Sequence, residues 1–158
     1  MTVDEVKGDE QFLIMDLIPM GIFIIRSDYR IIFWNACMED WTGIQRRDIV
    51  GKVLHDSIPE FGDARYLSRI SLVFAGGAPV IFSSQLHASL FPSKLKGSRR
   101  RVYHTTVSPI PSGTGTGHMA LFAVQDVTEL TARITGYRQM NDRAMREIED
   151  RKKAEEEE

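Results

Sequence analysis

The spacing of hydrophobic and polar positions changes several times along this chain, and each change marks an element. DEQFLIMDLIPM, residues 9–20, has good helix formers before Pro19 and is apolar over a broad face. It predicts a short N-terminal helix lying on another surface. GIFIIRSD and RIIFWN are β-branched and aromatic runs joined by Ser27-Asp28-Tyr29, the pattern of an antiparallel hairpin. Ile22, Phe23, Ile24 and Ile25 make the first strand apolar on both faces. Such a strand is covered on both sides, and the N-terminal helix is the nearest cover. Asn35 sits where the second strand ends; its side-chain oxygen can accept the free N–H groups that open the helix ACMEDWTG. In that helix Met38 and Trp41 share a face, Glu39 and Asp40 point to water, and Gly43 supplies a left-handed cap.

RRDIVGKVLHDSIPEFG reads as short helical turns punctuated by Gly51 and Pro59. DARYLSRISLVFAGG predicts a longer helix with Tyr66, Ile70, Val73 and Phe74 on one face, Arg65, Ser68 and Arg69 off it, and Gly76-Gly77 as its stop. Three strands are expected next. PVIFSSQLHASLF alternates, with Val80, Phe82, Leu86, Ala88 and Leu90 on one side; RRRVYHTTVSPI and HMALFAVQDV follow, separated by the hairpin loop PSGTGTG. Two strands and three strands with helices between them predict an α+β domain, one antiparallel sheet with helices packed on one face.

From Thr128 the pattern becomes one long helix without proline and with a single glycine, Gly136, which costs about 1 kcal/mol relative to alanine. Leu130, Ile134, Tyr137, Asn141, Ala144 and Ile148 alternate at spacings of four and three, a coiled-coil seam, and Arg151 and Glu155 then break it. Asn141 within the seam favours a parallel two-stranded register. Beyond Ile148 a solvated single helix fits as well. Asp126 and Thr128 can both cap this helix, and Glu129 lies three residues after Asp126, close to capping-box spacing. The helix shows no stop signal, so the chain reads as part of something longer. The expected division is a flexible N-terminus at 1–10, a domain at 11–128 and a helical linker at 129–158.

Composition narrows the function more by exclusion than by indication. The 158 residues are 42% hydrophobic and 27% charged with a net charge of -2, which is ordinary for a globular chain and gives no pull towards nucleic acid. The lone cysteine, Cys37, allows no internal disulfide and reads as a small buried hydrophobe. No apolar run approaches the roughly 20 residues needed to span a bilayer. The acidic start does not suit a signal peptide. Together these predict a cytoplasmic protein without membrane contact in this segment. No nucleophile elbow, phosphate loop or His-Glu-x-x-His is present, so no enzyme and no metal site is expected. KLKGSRRR, residues 94–101, reads as a solvated hairpin end with positive gatekeepers. His87 and His118 read as solvent-facing or hydrogen-bonded structural groups.

In order and spacing, GIFIIRSDYRIIFWNACMEDWTG, DIVGK, the helix ending AGG, HTTVSPI and FAVQDVTELT resemble the PAS family of sensor domains over roughly residues 11–130. That resemblance implies a five-stranded antiparallel sheet curled against short helices around a small central cavity, with an N-terminal cap helix and a C-terminal signalling helix. The closing FAVQDVTELT is similar to the Asp-Ile-Thr ending through which PAS domains hand over to that helix. This makes Asp126 and Thr128 signal-relay candidates, beside Asn35 as a structural cap. EIEDRKKAEEEE resembles the connectors that lead to the dimeric catalytic part of sensor histidine kinases. The implied partners are a second copy, through the N-terminal helix and the coiled coil, and a downstream kinase or other output domain. A cyclic-dinucleotide enzyme, a transcription activator and a ligand-free dimerisation role are the alternatives.

Cofactors follow from the same comparison. The stretch GKVLHDSIP lacks the cysteine of flavin-binding relatives, and DARYLSRISLVFAGG lacks a haem-ligating histidine, so neither group is expected, with His55 as a minority haem candidate. A small organic ligand is possible. The lining it implies is Phe23, Ile25, Val53, Tyr66, Ile70, Phe82, Leu86 and Phe122, with His55, Arg69, Ser84 and His104 as polar candidates. The same apolar residues equally suit a completely filled core, and both readings of the interior stand.

Overall fold

Five strands form one antiparallel sheet in the order β2-β1-β5-β4-β3. They are β1 Gly21–Ile25, β2 Ile31–Trp34, β3 Val80–Phe82, β4 Tyr103–Pro111 and β5 His118–Asp126. The structure is a computed structural model and describes residues 12–86, 90–92, 100–113 and 115–156. The expectations for residues 1–10, His87, Ala88 and most of the basic cluster lie outside the described residues. Residues 12–17 are helical (α1). Between β2 and β3 come α2 Ala36–Thr42, α3 Arg46–Ile49, α4 Leu54–Ser57, a 3-10 turn at Pro59–Gly62 and α5 Ala64–Phe74. The chain divides into two units, Met1–Asp126, which holds the sheet, and Val127–Glu158, which is the helix α6, Thr128–Glu156. No helix among the described residues is long and apolar enough to cross a membrane.

The β1–β2 hairpin forms where the β-branched run predicts it, with Phe23 opposite Trp34 and Ile24 opposite Phe33. Tyr29 closes it in the left-handed region at φ 63 and donates its hydroxyl to the Leu67 carbonyl at 3.3 Å, tying the turn to α5. β1 is buried along its whole length. On one face Phe23 and Ile25 join Phe82, Val107, Phe122 and Val124 against Ile70 and Val73 of α5. On the other, Ile22 and Ile24 pack with Phe33 beneath Met15 of α1. The helices that follow β2 thus cover one side, and α1 covers the other.

Asn35 holds that corner together. Its side-chain oxygen accepts from the backbone N–H of Ile22 at 3.0 Å and of Met38 at 3.1 Å. Its amide donates to the carbonyls of Met15 at 3.0 Å and Met20 at 2.8 Å. α1 gains a second clasp from Asp16, whose carboxylate accepts from Ala36 N–H at 2.8 Å and pairs with Arg46. Phe12 stacks on Phe33 at 4.8 Å. Gly21 leaves room beside this corner, because a methyl there would lie 2.4 Å from the Met38 sulfur and the buried methionine would have to shift. Gly43 closes α2 at φ 75.

The third strand departs from its expectation. Alternation predicts pairing through Leu90, yet β3 stops at Phe82 and Leu86 is 80% exposed in a turn. β3 is the sheet edge and is paired on one side only, so few hydrogen bonds hold it. Leu90 and Phe91 are buried in the core. Their apolar burial outweighs an extension of the ladder.

Asn35→Ala removes a helix cap and leaves two carbonyls and two N–H groups of the corner without a partner. We expect a loss of roughly 2–4 kcal/mol in urea unfolding. Asn35→Asp should not rescue it, since a carboxylate keeps the acceptor but cannot donate to Met15 and Met20. Wild-type stability in the aspartate variant would show that the two donated bonds carry no weight.

Candidate functional site

Nine aromatic side chains meet on the inner face of the sheet or beside it. Phe23 and Phe122, opposite each other on β1 and β5, stack at 4.2 Å. Phe61, brought in by the turn after Pro59, meets Phe122 edge-on at 5.9 Å and Tyr66 at 6.1 Å. Tyr66 meets Phe82 at 5.3 Å, and Phe23 meets Trp34 at 5.1 Å. Phe91 lies 5.6 Å from Tyr103, and Tyr103 lies 5.6 Å from Trp41 of α2. The offset and edge-to-face geometries are those that ring quadrupoles favour.

The predicted lining residues fall into two groups. Phe23, Ile25, Ile70, Phe82 and Phe122 are fully buried in one cluster, with Tyr66 packed against it. His55 is half-buried, edge-on to Tyr29 at 5.8 Å, and its Nδ1 is buried without a hydrogen-bond partner. Val53 is half-buried where it bridges to Arg30. The rest do not join them. Ser84 and Leu86 lie in the turn after β3. Arg69 donates to the Ile81 carbonyl at 2.8 Å and covers Phe82 from 4.9 Å, guarding the sheet edge. His104 pairs with Gln125 on the opposite face from Tyr103 and Thr105.

Four residues that the sequence reading left out stand in this region: Phe61, Phe91, Tyr103 and Thr105. Thr105 is fully buried between Phe82 and Val124 on the neighbouring strands, and its hydroxyl has no hydrogen-bond partner. The alternation Tyr103, Thr105, Val107 was a legible signal for the last two of the strand residues among them. Open space lies elsewhere. A groove of about 1000 Å³ runs along Phe12, Leu13, Phe33, Arg46 and Val50 on the α1 side. Among the described residues no group of three or more metal-ligating side chains occurs.

A second feature sits at the end of β5. Asp126, its last residue, pairs with Arg101, and both side chains are largely buried. The Arg101 guanidinium also lies over the Trp41 ring at 5.7 Å. Arg101 belongs to the basic cluster expected to be solvated, and in its case that expectation is overturned. A buried carboxylate next to it is a better partner than water once Trp41 shields the pair. Cys37 is half-buried nearby; burial, and then the charge of Asp40, push its thiol up to about 11 despite Arg101.

A family model described as PAS fold matches residues 15–132, most of the chain, and the chain belongs to that family. PAS domains are generally non-catalytic sensory modules. Among solved structures, a sensory box sensor histidine kinase from Vibrio cholerae superposes with a TM-score of 0.53 at 22% identity, covering 80% of this chain and 98% of that one. The PAS domain of Bordetella pertussis BvgS gives 0.56 at 16%, covering 87% and 98%. The PAS domain of nitrogen regulation protein NR(II) from Vibrio parahaemolyticus gives 0.52 at 18%, covering 73% and 96%. At these identities the likeness is one of fold. No curated protein sequence matches the chain.

Because its proton is held until about pH 11, Cys37 should react with a disulfide reagent far more slowly at neutral pH than a free thiol does. The rate should climb as pH rises through that value, for as long as the fold survives. Full labelling at pH 7 at the rate of free cysteine would contradict the buried setting.

Proposed function

We propose that this domain is the sensory relay module of a multidomain signal-transduction protein, a sensor histidine kinase by its resemblance. In this reading a ligand or partner favours one packing of the sheet over another, and the change passes to the coiled coil that begins at Thr128. A ligand with equal affinity for both packings transmits nothing. The observation that carries the reading is the Arg101–Asp126 pair. It fixes the last residue of β5, and only Val127 separates that residue from α6. Arg101 also rests on Trp41, whose ring touches Tyr103 of the aromatic core. The inner rings and the exit strand therefore share one contact chain.

The module works as a homodimer in this reading. α6 carries no buried residue, and Leu130, Ile134, Tyr137 and Ile148 of its seam are exposed. A helix of this kind is stabilised by a partner rather than by propensity alone. Leu13, Ile14 and Leu17 of α1 are exposed as well and form the second contact. The output domain follows the helical linker at 129–158, in the cytoplasm.

Arg101→Gln and Asp126→Asn should each speed amide exchange over residues 127–140 several-fold. The effect of the double variant should fall short of the sum of the two single ones, since both break the same pair. Wild-type exchange there in both single variants would remove the basis of the relay. Separately, Ile134→Lys should shift sedimentation equilibrium towards monomer by at least tenfold in dissociation constant. An unchanged constant would place the dimer contact outside the seam.

A further inference from the structure

Phe91 is an anomaly in the aromatic core. Phe23 stands on β1, Phe61 on the 3-10 turn and Tyr103 on β4. Phe91 belongs to no helix or strand, and Pro92 follows it. Its ring is nevertheless enclosed by the other three, edge-on to Phe23 at 5.9 Å and to Tyr103 at 5.6 Å, and tilted against Phe61 at 5.4 Å. Each wall is set on a strand or on the 3-10 turn, whereas the enclosed ring stands on no helix or strand. Such a ring can leave without breaking a strand ladder or a helical turn, so its opening is local rather than global.

Beside this ring box stands a polar group that a filled core does not need. Thr105 is on the same face of β4 as Tyr103, two residues on and therefore about 6.6 Å away. It is fully buried and its hydroxyl has no partner, although valine would fill the same volume without that cost. A ring-shaped site next to one unmatched hydroxyl specifies a ligand chemistry.

We infer that Phe91 is an internal stand-in for a ligand, and that the box of Phe23, Phe61 and Tyr103 receives a monocyclic aromatic molecule bearing one hydrogen-bonding group, which Thr105 recognises. This rests on the sensor reading of the interior and says how that site is regulated. The ligand displaces Phe91, so its apparent affinity is lowered by the fraction of molecules in which the ring is in place. Displacement disturbs Tyr103, and Tyr103 touches Trp41 beneath Arg101.

The test uses phenol, and benzene as its counterpart without the hydroxyl. In the full chain carrying 4-fluorophenylalanine at position 91, phenol should move the fluorine resonance from a buried to a solvent-exposed shift. In Phe91→Ala, phenol should raise the melting temperature by several degrees more than benzene does, and adding Thr105→Val should abolish that difference. A fluorine resonance that stays buried at saturating phenol overturns the displacement, whether or not the alanine variant folds. Equal responses to phenol and benzene in Phe91→Ala overturn the role of Thr105. Amide exchange over 127–140 on the same samples separates the two readings. Displacement of Phe91 with unchanged exchange upholds the site and fails the relay, while an undisplaced Phe91 fails the site whatever the helix does.

Discussion

The fold depends on one side chain that uses its entire hydrogen-bonding capacity inside the protein. Asn35 accepts from Ile22 and Met38 and donates to Met15 and Met20. A primary amide has two donors and an acceptor oxygen with two lone pairs, so all four positions are filled. Those bonds join the end of α1, the start of β1 and the start of α2 at a buried point. There an unmatched polar atom costs more than a formed bond gains, so removing the amide would loosen three elements together.

From that corner the sheet acquires its two different sides. β1 runs away from Asn35 with both faces buried, the inner one against rings and the outer one under α1. Few apolar residues of α1 face inward, and what seats it is largely polar, through Asn35, Asp16 and Arg46. This leaves its outward apolar face available for association, and it makes the position of α1 sensitive to the geometry of the β2–α2 corner. β5 pairs with β1 over five residues from Gly21 to Ile25 and sets Val124 opposite Gly21. Its last residue, Asp126, therefore lies at the same end of the sheet as the Asn35 corner.

The interior works by a comparable economy of contacts. Rings from eight elements, with Phe91, form a network whose neighbours are centred within about 6 Å, and the Arg101–Asp126 pair lies at its rim, shielded by Trp41. A shift of one ring is therefore felt by several neighbours at once, because a close-packed core has little free volume in which to absorb it.

The sequence alone determined the elements whose causes are local. The hairpin with its turn at residues 27–29, the cap at Asn35, the left-handed stop at Gly43, the helix over 64–74 and the five-strand antiparallel class all follow from periodicity and from bonds to residues three or four positions away. Tertiary structure decided what depends on partners distant in the chain. It ended β3 at Phe82, turned Leu90 and Phe91 into the core, set Thr105 inward and His104 outward, and gave Arg101 to Asp126 twenty-five residues away. Alternation says that side chains point two ways but not which way is in. A charged side chain announces that it needs a partner without naming it. Both choices are made only when the sheet closes over the rings and fixes which groups lose their water.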